Sequence, residues 1–479
     1  SGVLGYPATT KRTHSVAEAL ENFVELSKSE KEIVLAGRIM AMRGHGGATF
    51  LDVNDGSGGP SFAKASEGQG KIQALIKEDK LGEHGYKFFI DHFDIGDFVE
   101  IKGVLIETKR GEKTIEASDY KMLAKSLLPL PEKWHGLQDE EEKLRKRYLD
   151  ILFNPEVKEM IKKRAVFWNS TREFLIEKGF LEVETPVLET TPGGADAKPF
   201  MTHHNALDLD VYLRICTGEL WQKKLMVAGF EKTFEIGRQF RNEGMDAEHL
   251  QDYTQMEFYW GYADYKMGME MVEELYKYVA QKTFGTLKFS IKGHEIDLGK
   301  KWEKYDYASL ISKYTEINIT EASLPEMEKK LQKLGVNYDK NGFNKTRAID
   351  NLWKYCRKNI TGPGFLINLP VDVSPLAKRD EKNPKIVQRF QVLLAGSELG
   401  NGYSELNDPI DQAERFKEQE KLRKAGDEEA QMFDKDFVEA LEYGMPPTCG
   451  FAYSERLFSF LMDKPARETQ IFPLMKPKQ

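Results

Sequence analysis

Cysteine is scarce in this chain. Only Cys216, Cys356 and Cys449 occur in 479 residues. They are odd in number, widely spaced and form no CxxC pair. That argues against a disulfide framework and a cysteine-based zinc site, and points to a reducing compartment. Long apolar runs are missing too: none approaches the roughly 20 residues of a membrane-crossing helix, and the opening SGVLGYPATTKR holds no stretch of signal-peptide length. The expectation is a cytoplasmic protein without a membrane partner. There is no basic excess, since the net charge is -8. Any nucleic-acid contact must therefore come from a local patch. Apolar residues (40%) and aromatics (11%) are not short, and the length allows two or three cores.

The hydrophobic period changes along the chain. Val16, Ala19, Leu20, Phe23 and Leu26 recur at helical spacing, so an N-terminal helix is expected within residues 1–29. From 30 to 125 the pattern is of short strands separated by turn residues: KEIVLAGRIMAMRG, GATFLDVNDGSG, KIQALIKED, DFVEIKGVLIET and KTIEASDYKML. Five such strands suit a small β-barrel of the OB-fold type. Residues 59–70 (GPSFAKASEGQG) read as a loop-tip insertion in it. Residues 126–150 form a linker, proline-bearing at first and then a charged helix whose acidic residues precede its basic ones, as the helix dipole favours. Residues 151–479 mix helices (155–178, 219–228, 265–282 and much of 302–360) with strands (232–242, 252–262, 364–372, 388–396).

The most informative stretch is TFEIGRQFRNEGMDAEHLQDYTQMEFYWGY, residues 233–262, two apolar-rich strands flanking a polar loop. Arg241 falls where the first strand ends. A buried arginine needs an anionic partner, supplied by a ligand or by an internal Arg–Glu pair. FRNEG followed by YTQMEFYWGYADY resembles motif 2 of the class II aminoacyl-tRNA synthetases in its lysine-specific form. GFLEVETPVLETTPGGADAKPF (179–200) is similar to motif 1 and the loop after it. PLPEKWHGL, THHNALDLDVYLRI, VSPLAKR, NGYSELNDPIDQAERF and ALEYGMPPT carry the resemblance through nearly the whole chain.

The resemblance implies an α+β architecture: an N-terminal OB-fold β-barrel plus a class II synthetase catalytic domain with an antiparallel sheet flanked by helices. It implies ATP, L-lysine and tRNA as ligands, Mg²⁺ as cofactor, and a homodimer with motif 1 at its interface. The activation chemistry is consistent with these residue types. The lysine carboxylate is already ionised at neutral pH, so attack on the α-phosphate needs positioning and charge neutralisation rather than a base. By resemblance Arg241 holds the α-phosphate and Arg456 the γ-phosphate. Glu243 reads the adenine amino group, Tyr253 stacks on the ring, His249 contacts phosphate, and Glu398 binds the metal beside ATP. Gly194, Glu219, Glu257, Tyr259, Asn401, Tyr403 and Glu405 form the lysine pocket, where fixed negative charge selects the ammonium. On the barrel, Phe50 stacks an anticodon base, helped by Arg38, Arg43 and Gln73. Taken singly, Phe50 also suits core packing, and His249 an ordinary surface position.

Two departures from the family pattern stand out. PPTCGFAYSERLFSFLM keeps Glu455 and Arg456 but has Ala452, Tyr453 and Ser454 where glycines or small residues are expected, and is one residue short. Gln391 stands where the first of two metal-binding glutamates is expected, seven residues before Glu398. An amide is a weaker ligand than a carboxylate for a hard cation. These departures leave room for a rival reading, an impaired synthetase-like protein that only binds nucleic acid; two others are an enzyme that lysylates an acceptor other than tRNA and a relative that uses a lysine analogue. Deletion of 59–70 is expected to leave lysine activation unchanged, because the insertion lies in the barrel. A fall of about tenfold in ATP–pyrophosphate exchange would contradict this.

Overall fold

The computed structural model describes residues 5–57, 70–131, 137, 139–338, 343–425 and 430–478. Most of the 59–70 insertion and residues 132–136 of the PLPEKWHGL segment lie outside them. Two compact units divide the chain, Ser1–Glu140 and Glu141–Gln479.

The first unit is a closed five-stranded barrel in the order Ile33–His45, Ala48–Asn54, Lys71–Lys77, Lys113–Ala124, Phe98–Glu107. Alternate residues point inward, so Ile39, Leu51, Val53, Ile72, Ala74 and Ile115 are all at most 3% exposed. The expected N-terminal helix is present as two short pieces, Val16–Glu21 and Phe23–Lys28, interrupted at Asn22. Ser15 and Glu18 form a reciprocal capping box at its start. Val16, Ala19 and Phe23 close one part of the barrel core. A helix not foreseen from the sequence, Glu78–His92, adds Phe89 and, at its end, Phe93 to the same core. Two glycines, 82 and 85, disguise it, and Gly82 does break the helical backbone with φ 72°.

The second unit is built on an eight-stranded sheet in the order Glu303–Asp306, Gly364–Ile367, Arg389–Leu394, Ser397–Ser404, Thr448–Ser454, Asp252–Gly261, Lys232–Phe240, Leu181–Glu182. The strand pairs are antiparallel except the outermost pair at each edge. The α+β class with an antiparallel sheet is thus the observed one. Helices Pro155–Glu177 and Tyr265–Phe284 cover one face, burying Phe167, Phe174, Val272, Leu275 and Tyr276 against Phe258, Phe390 and Phe451. The Lys-rich region 302–360 opens with a short edge strand and then forms helices Tyr307–Thr315, Leu324–Lys333 and Lys345–Arg357, which bury a second core. The strand expected over 364–372 stops at Ile367 because Asn368 takes a left-handed conformation, φ 61°.

Phe258 is fully buried between sheet and helices. Phe258→Ala is expected to destabilise this unit by about 3–5 kcal/mol in denaturant titrations. A loss below about 1 kcal/mol would mean the sheet–helix interface is not the main core.

Candidate active site

Strand register gathers the site on the other face of the sheet. Tyr259 pairs with Gly450 and Gly450 with Tyr403, and Tyr403 pairs in turn with Arg389. One step along, Glu257, Ala452, Asn401 and Gln391 form the next row. Directly paired residues point to the same side, so these four strands present one continuous surface. It lines a cavity of about 410 Å³. Thr448–Ser454 pairs without a register shift on either side, despite the missing residue. All five residues from Gly450 to Ser454 touch the cavity, but Gly450 and Ala452 share the pocket-side rows with Tyr259, Tyr403, Glu257 and Asn401, whereas the Phe451 and Tyr453 side chains pack into the core. The size requirement is therefore met on the face where it matters. A Cβ on Gly450 would lie 2.0 Å from Glu405 Oε1 and 2.7 Å from the Tyr259 ring.

One part of the cavity is strongly acidic. Glu219, Glu257 and Glu405 are each at most 5% exposed. Glu219 opens helix Glu219–Val227, and Lys223 follows one turn later, fully buried. Lys223 Nζ lies 2.7 Å from Glu219 Oε1 and 2.5 Å from Glu405 Oε2, and 5.5 Å from the centre of the Tyr403 ring. Burial opposes the charge on Lys223, but Glu219 and Glu405 outweigh it and raise its pKa to about 12. The Tyr403 hydroxyl donates to Glu219. Glu257 accepts hydrogen bonds from the Thr217 amide at 2.8 Å, Gln255 Nε2 at 2.5 Å and the Tyr259 hydroxyl at 3.2 Å. Even so, burial first, and then the charge of Glu219, push the Glu257 carboxyl up to about 7. Burial also drives Glu405 well above the usual carboxylate range. Gly194, at φ 90°, lies against this group, and a Cβ there would meet Cys216 Sγ at 2.5 Å and Glu219 Cβ at 2.8 Å.

Another part is cationic. Arg241 is half-buried, donates from Nε to the Ile215 carbonyl at 3.2 Å and lies 5.9 Å from the centre of the Tyr253 ring. Among the described residues Arg241 makes no ion pair with a glutamate, unlike the internal Arg–Glu alternative. Arg456 reaches the cavity and meets Glu248 at 2.5 Å. His249 lines the cavity edge, exposed, with Nδ1 2.8 Å from Asp246 Oδ2. Glu398 accepts from Trp353 Nε1 at 2.5 Å and from Gln391 Nε2 at 3.2 Å. Among the described residues no three His, Cys, Asp or Glu side chains converge as a metal cage. Arg357 Nη1 also lies 3.6 Å from Glu398 Oε1; one carboxylate of this kind fits Mg²⁺ carried by a polyphosphate, because that ion keeps waters and takes most other ligands from phosphate.

Of the residues expected to bind ATP or lysine, Glu243 alone does not line the cavity. It is exposed and accepts from the Lys198 amide at 3.3 Å. Sequence reasoning did not single out Lys223, Glu248 or Gln255. The first reads as half of a solvated Lys-Lys pair and the second as part of a polar loop.

In the barrel unit, Arg43 pairs with Phe50, Phe50 with Leu75, Arg38 with Asn54 and Asp52 with Gln73. Phe50, Asp52 and Asn54 alternate with the inward Leu51 and Val53, so all four expected anticodon residues lie on one outer face. Phe50 is half-buried and outside the barrel core, unlike the core-packing alternative. Arg38 stacks 4.4 Å over the Phe98 ring, and Arg43 pairs with Asp52 at 3.0 Å.

A family model described as tRNA synthetases class II (D, K and N) matches residues 139–476. A second, described as OB-fold nucleic acid binding domain, matches 33–123. The lysine–tRNA ligase of Thermoanaerobacter sp. (strain X514) is 46% identical over 451 residues, 94% of this chain and 88% of its own length. That of Thermoanaerobacter pseudethanolicus is 44% identical over 472 residues, covering 98% and 91%. That of Thermotoga maritima is 42% identical over 484 residues, covering 100% and 93%. The chain therefore belongs to the class II tRNA synthetases of the D, K and N group, with an OB-fold domain ahead of the catalytic one.

Proposed function

We propose that this chain is a lysine–tRNA ligase. The lysine carboxylate attacks the α-phosphorus of ATP, the bond to the β-phosphate breaks, and lysyl-adenylate and pyrophosphate form. A ribose hydroxyl of the 3′-terminal adenosine of tRNA then attacks the lysyl carbonyl, and AMP leaves. The observation that carries this reading is the charge count in the acidic pocket. Three buried carboxylates, Glu219, Glu257 and Glu405, face one buried cation, Lys223. Buried negative charge in excess calls for a cationic ligand, and the lysine–tRNA ligases named above are 42–46% identical to this chain over 94–100% of its length.

Arg241 holds the α-phosphate, where charge develops, and Arg456 the γ-phosphate. Tyr253, beneath the Arg241 guanidinium, stacks on adenine, and His249 contacts phosphate. Glu243 reads the adenine amino group only if the 241–251 loop brings it inward. Gly194, Glu219, Glu257, Tyr259, Asn401, Tyr403 and Glu405 bind lysine, the ammonium going to the carboxylates. Mg²⁺, when bound with ATP on Glu398, neutralises phosphate charge. In this assignment residues 30–125 are the anticodon-binding domain, with Arg38, Arg43, Phe50 and Gln73 on its binding face, residues 126–150 the linker and 151–479 the catalytic domain.

The same reading makes the protein a homodimer. Leu181 in the motif 1 stretch, and Val187, Leu188, Met201, Leu207 and Leu209 after it, leave 39–68% of their surface exposed, an apolar set of the kind that a partner covers. Three free, buried cysteines, and no helix among the described residues long and apolar enough to cross a membrane, suit the cytoplasm.

Glu257→Gln tests the pocket. In ATP–pyrophosphate exchange it is expected to raise the KM for lysine at least about tenfold and the KM for ATP by less than about threefold. Equal changes would contradict the assignment.

A second test concerns protons. The empty pocket holds a proton on Glu257 below pH about 7, whereas a lysine ammonium favours the ionised carboxylate. Lysine affinity should therefore rise as pH is raised through 7, with a proton released on binding near pH 7. Calorimetry in buffers of different ionisation enthalpy counts that proton. Proton uptake would contradict the pocket as described.

A further inference from the structure

The loop between Lys232–Phe240 and Asp252–Gly261 delivers a carboxylate to the cationic part of the cavity. Glu248 Oε2 lies 2.5 Å from Arg456 Nη2, and Glu248 Oε1 accepts from Lys292 Nζ. Ser397 Oγ lies 3.2 and 3.3 Å from the two oxygens. The side chain does not arrive there by chance contact. Asp246 Oδ1 accepts from the amides of Glu248 at 2.6 Å and His249 at 2.8 Å, which forms a tight turn. The Ala247 carbonyl accepts from the Ala466 amide at 2.8 Å and pins that turn.

A guanidinium, an ammonium and a hydroxyl converging on two oxygens are the parts of an anion site. Arg456 Nε is buried and has no hydrogen-bond partner among the described residues. A phosphate, with one more oxygen and more charge than a carboxylate, would use these donors more fully. We infer that Glu248 is a built-in competitor of the terminal phosphates. Its carboxylate occupies the Arg456–Lys292 pair when no nucleotide is bound and leaves when ATP or pyrophosphate enters. The inference rests on the assignment of Arg456 to the γ-phosphate. Residues 242–247 and 249 are exposed, so a released Glu248 has solvent to turn into. With Glu248 seated the trio carries one net positive charge; with Glu248 out the two cations are free. A site that must first expel its own anion binds a competing anion more weakly, by the fraction of molecules already open. The same competition returns after reaction, when Glu248 helps to displace pyrophosphate.

The test uses Glu248→Ala and Glu248→Gln in the full chain, with Arg456→Ala and the Glu248→Ala/Arg456→Ala double variant. In ATP–pyrophosphate exchange both Glu248 variants are expected to lower the KM for ATP by about fivefold or more, with pyrophosphate inhibiting more tightly by a similar factor. The KM for lysine and the affinity for AMP, which lacks the outer phosphates, should stay within about twofold. Arg456→Ala should weaken ATP, and in that background removing Glu248 should give at most a small further gain. If Arg456→Ala weakens ATP but the Glu248 variants leave its KM unchanged, the inference alone fails. A raised KM in the Glu248 variants also overturns it and makes Glu248 a partner of the ATP-bound cation. If Arg456→Ala does not affect ATP, the phosphate assignment fails and the inference with it.

Discussion

The ion pairs of Lys223 with Glu219 and Glu405 set the character of the whole site. Three carboxylates within one buried pocket would strongly resist joint ionisation. A single internal ammonium, fixed by both its charge partners and the Tyr403 ring, pairs with two of them. Glu257 is left to its neutral donors, Thr217, Gln255 and Tyr259, and its carboxyl is pushed up to about 7, while burial holds Glu405 well above the usual carboxylate range despite Lys223. The pocket is thus close to, but short of, neutral without its ligand. The deficit is what an amino acid with a charged side chain can fill, and what an apolar one cannot.

The sheet makes this arrangement possible. Glu257, Tyr259, Asn401 and Tyr403 come from chain segments some 140 residues apart, yet pair through the intervening strand Thr448–Ser454. Small residues on that strand's cavity side keep the floor low, and large ones on its other side anchor it to the helices. One strand therefore answers two opposite size demands by period-two alternation. The cationic end depends instead on a loop and on the start of helix Arg456–Leu461.

Much of this was legible in the sequence because it rests on short-range pattern. The barrel strands alternate, the 252–262 strand is dense in aromatics, and glutamates amid apolar residues mark buried charge. What the sequence hid has physical causes. Lys223 carries no local sign that its partner Glu405 lies 182 residues away. Glu248 sits in a loop whose composition matches any solvated turn. The helix Glu78–His92 contains two glycines and draws its stability from Phe89 packed into the barrel, so tertiary burial overrides weak propensity. The departure at 452–454 depends on side-chain direction, which a glycine count does not give: the Tyr453 side chain packs into the core. Glu243 is the opposite case: a motif residue that the cavity wall does not include.

The central claim is that fixed carboxylates select an ammonium. The most direct measurement compares kcat/KM in ATP–pyrophosphate exchange for lysine and for norleucine, which keeps the carbon chain and lacks the ammonium. A ratio of about 10⁴ or more is expected, because norleucine would leave the buried carboxylates without their cation. A ratio of about 10 or less, the discrimination available to apolar fit alone, would contradict the account.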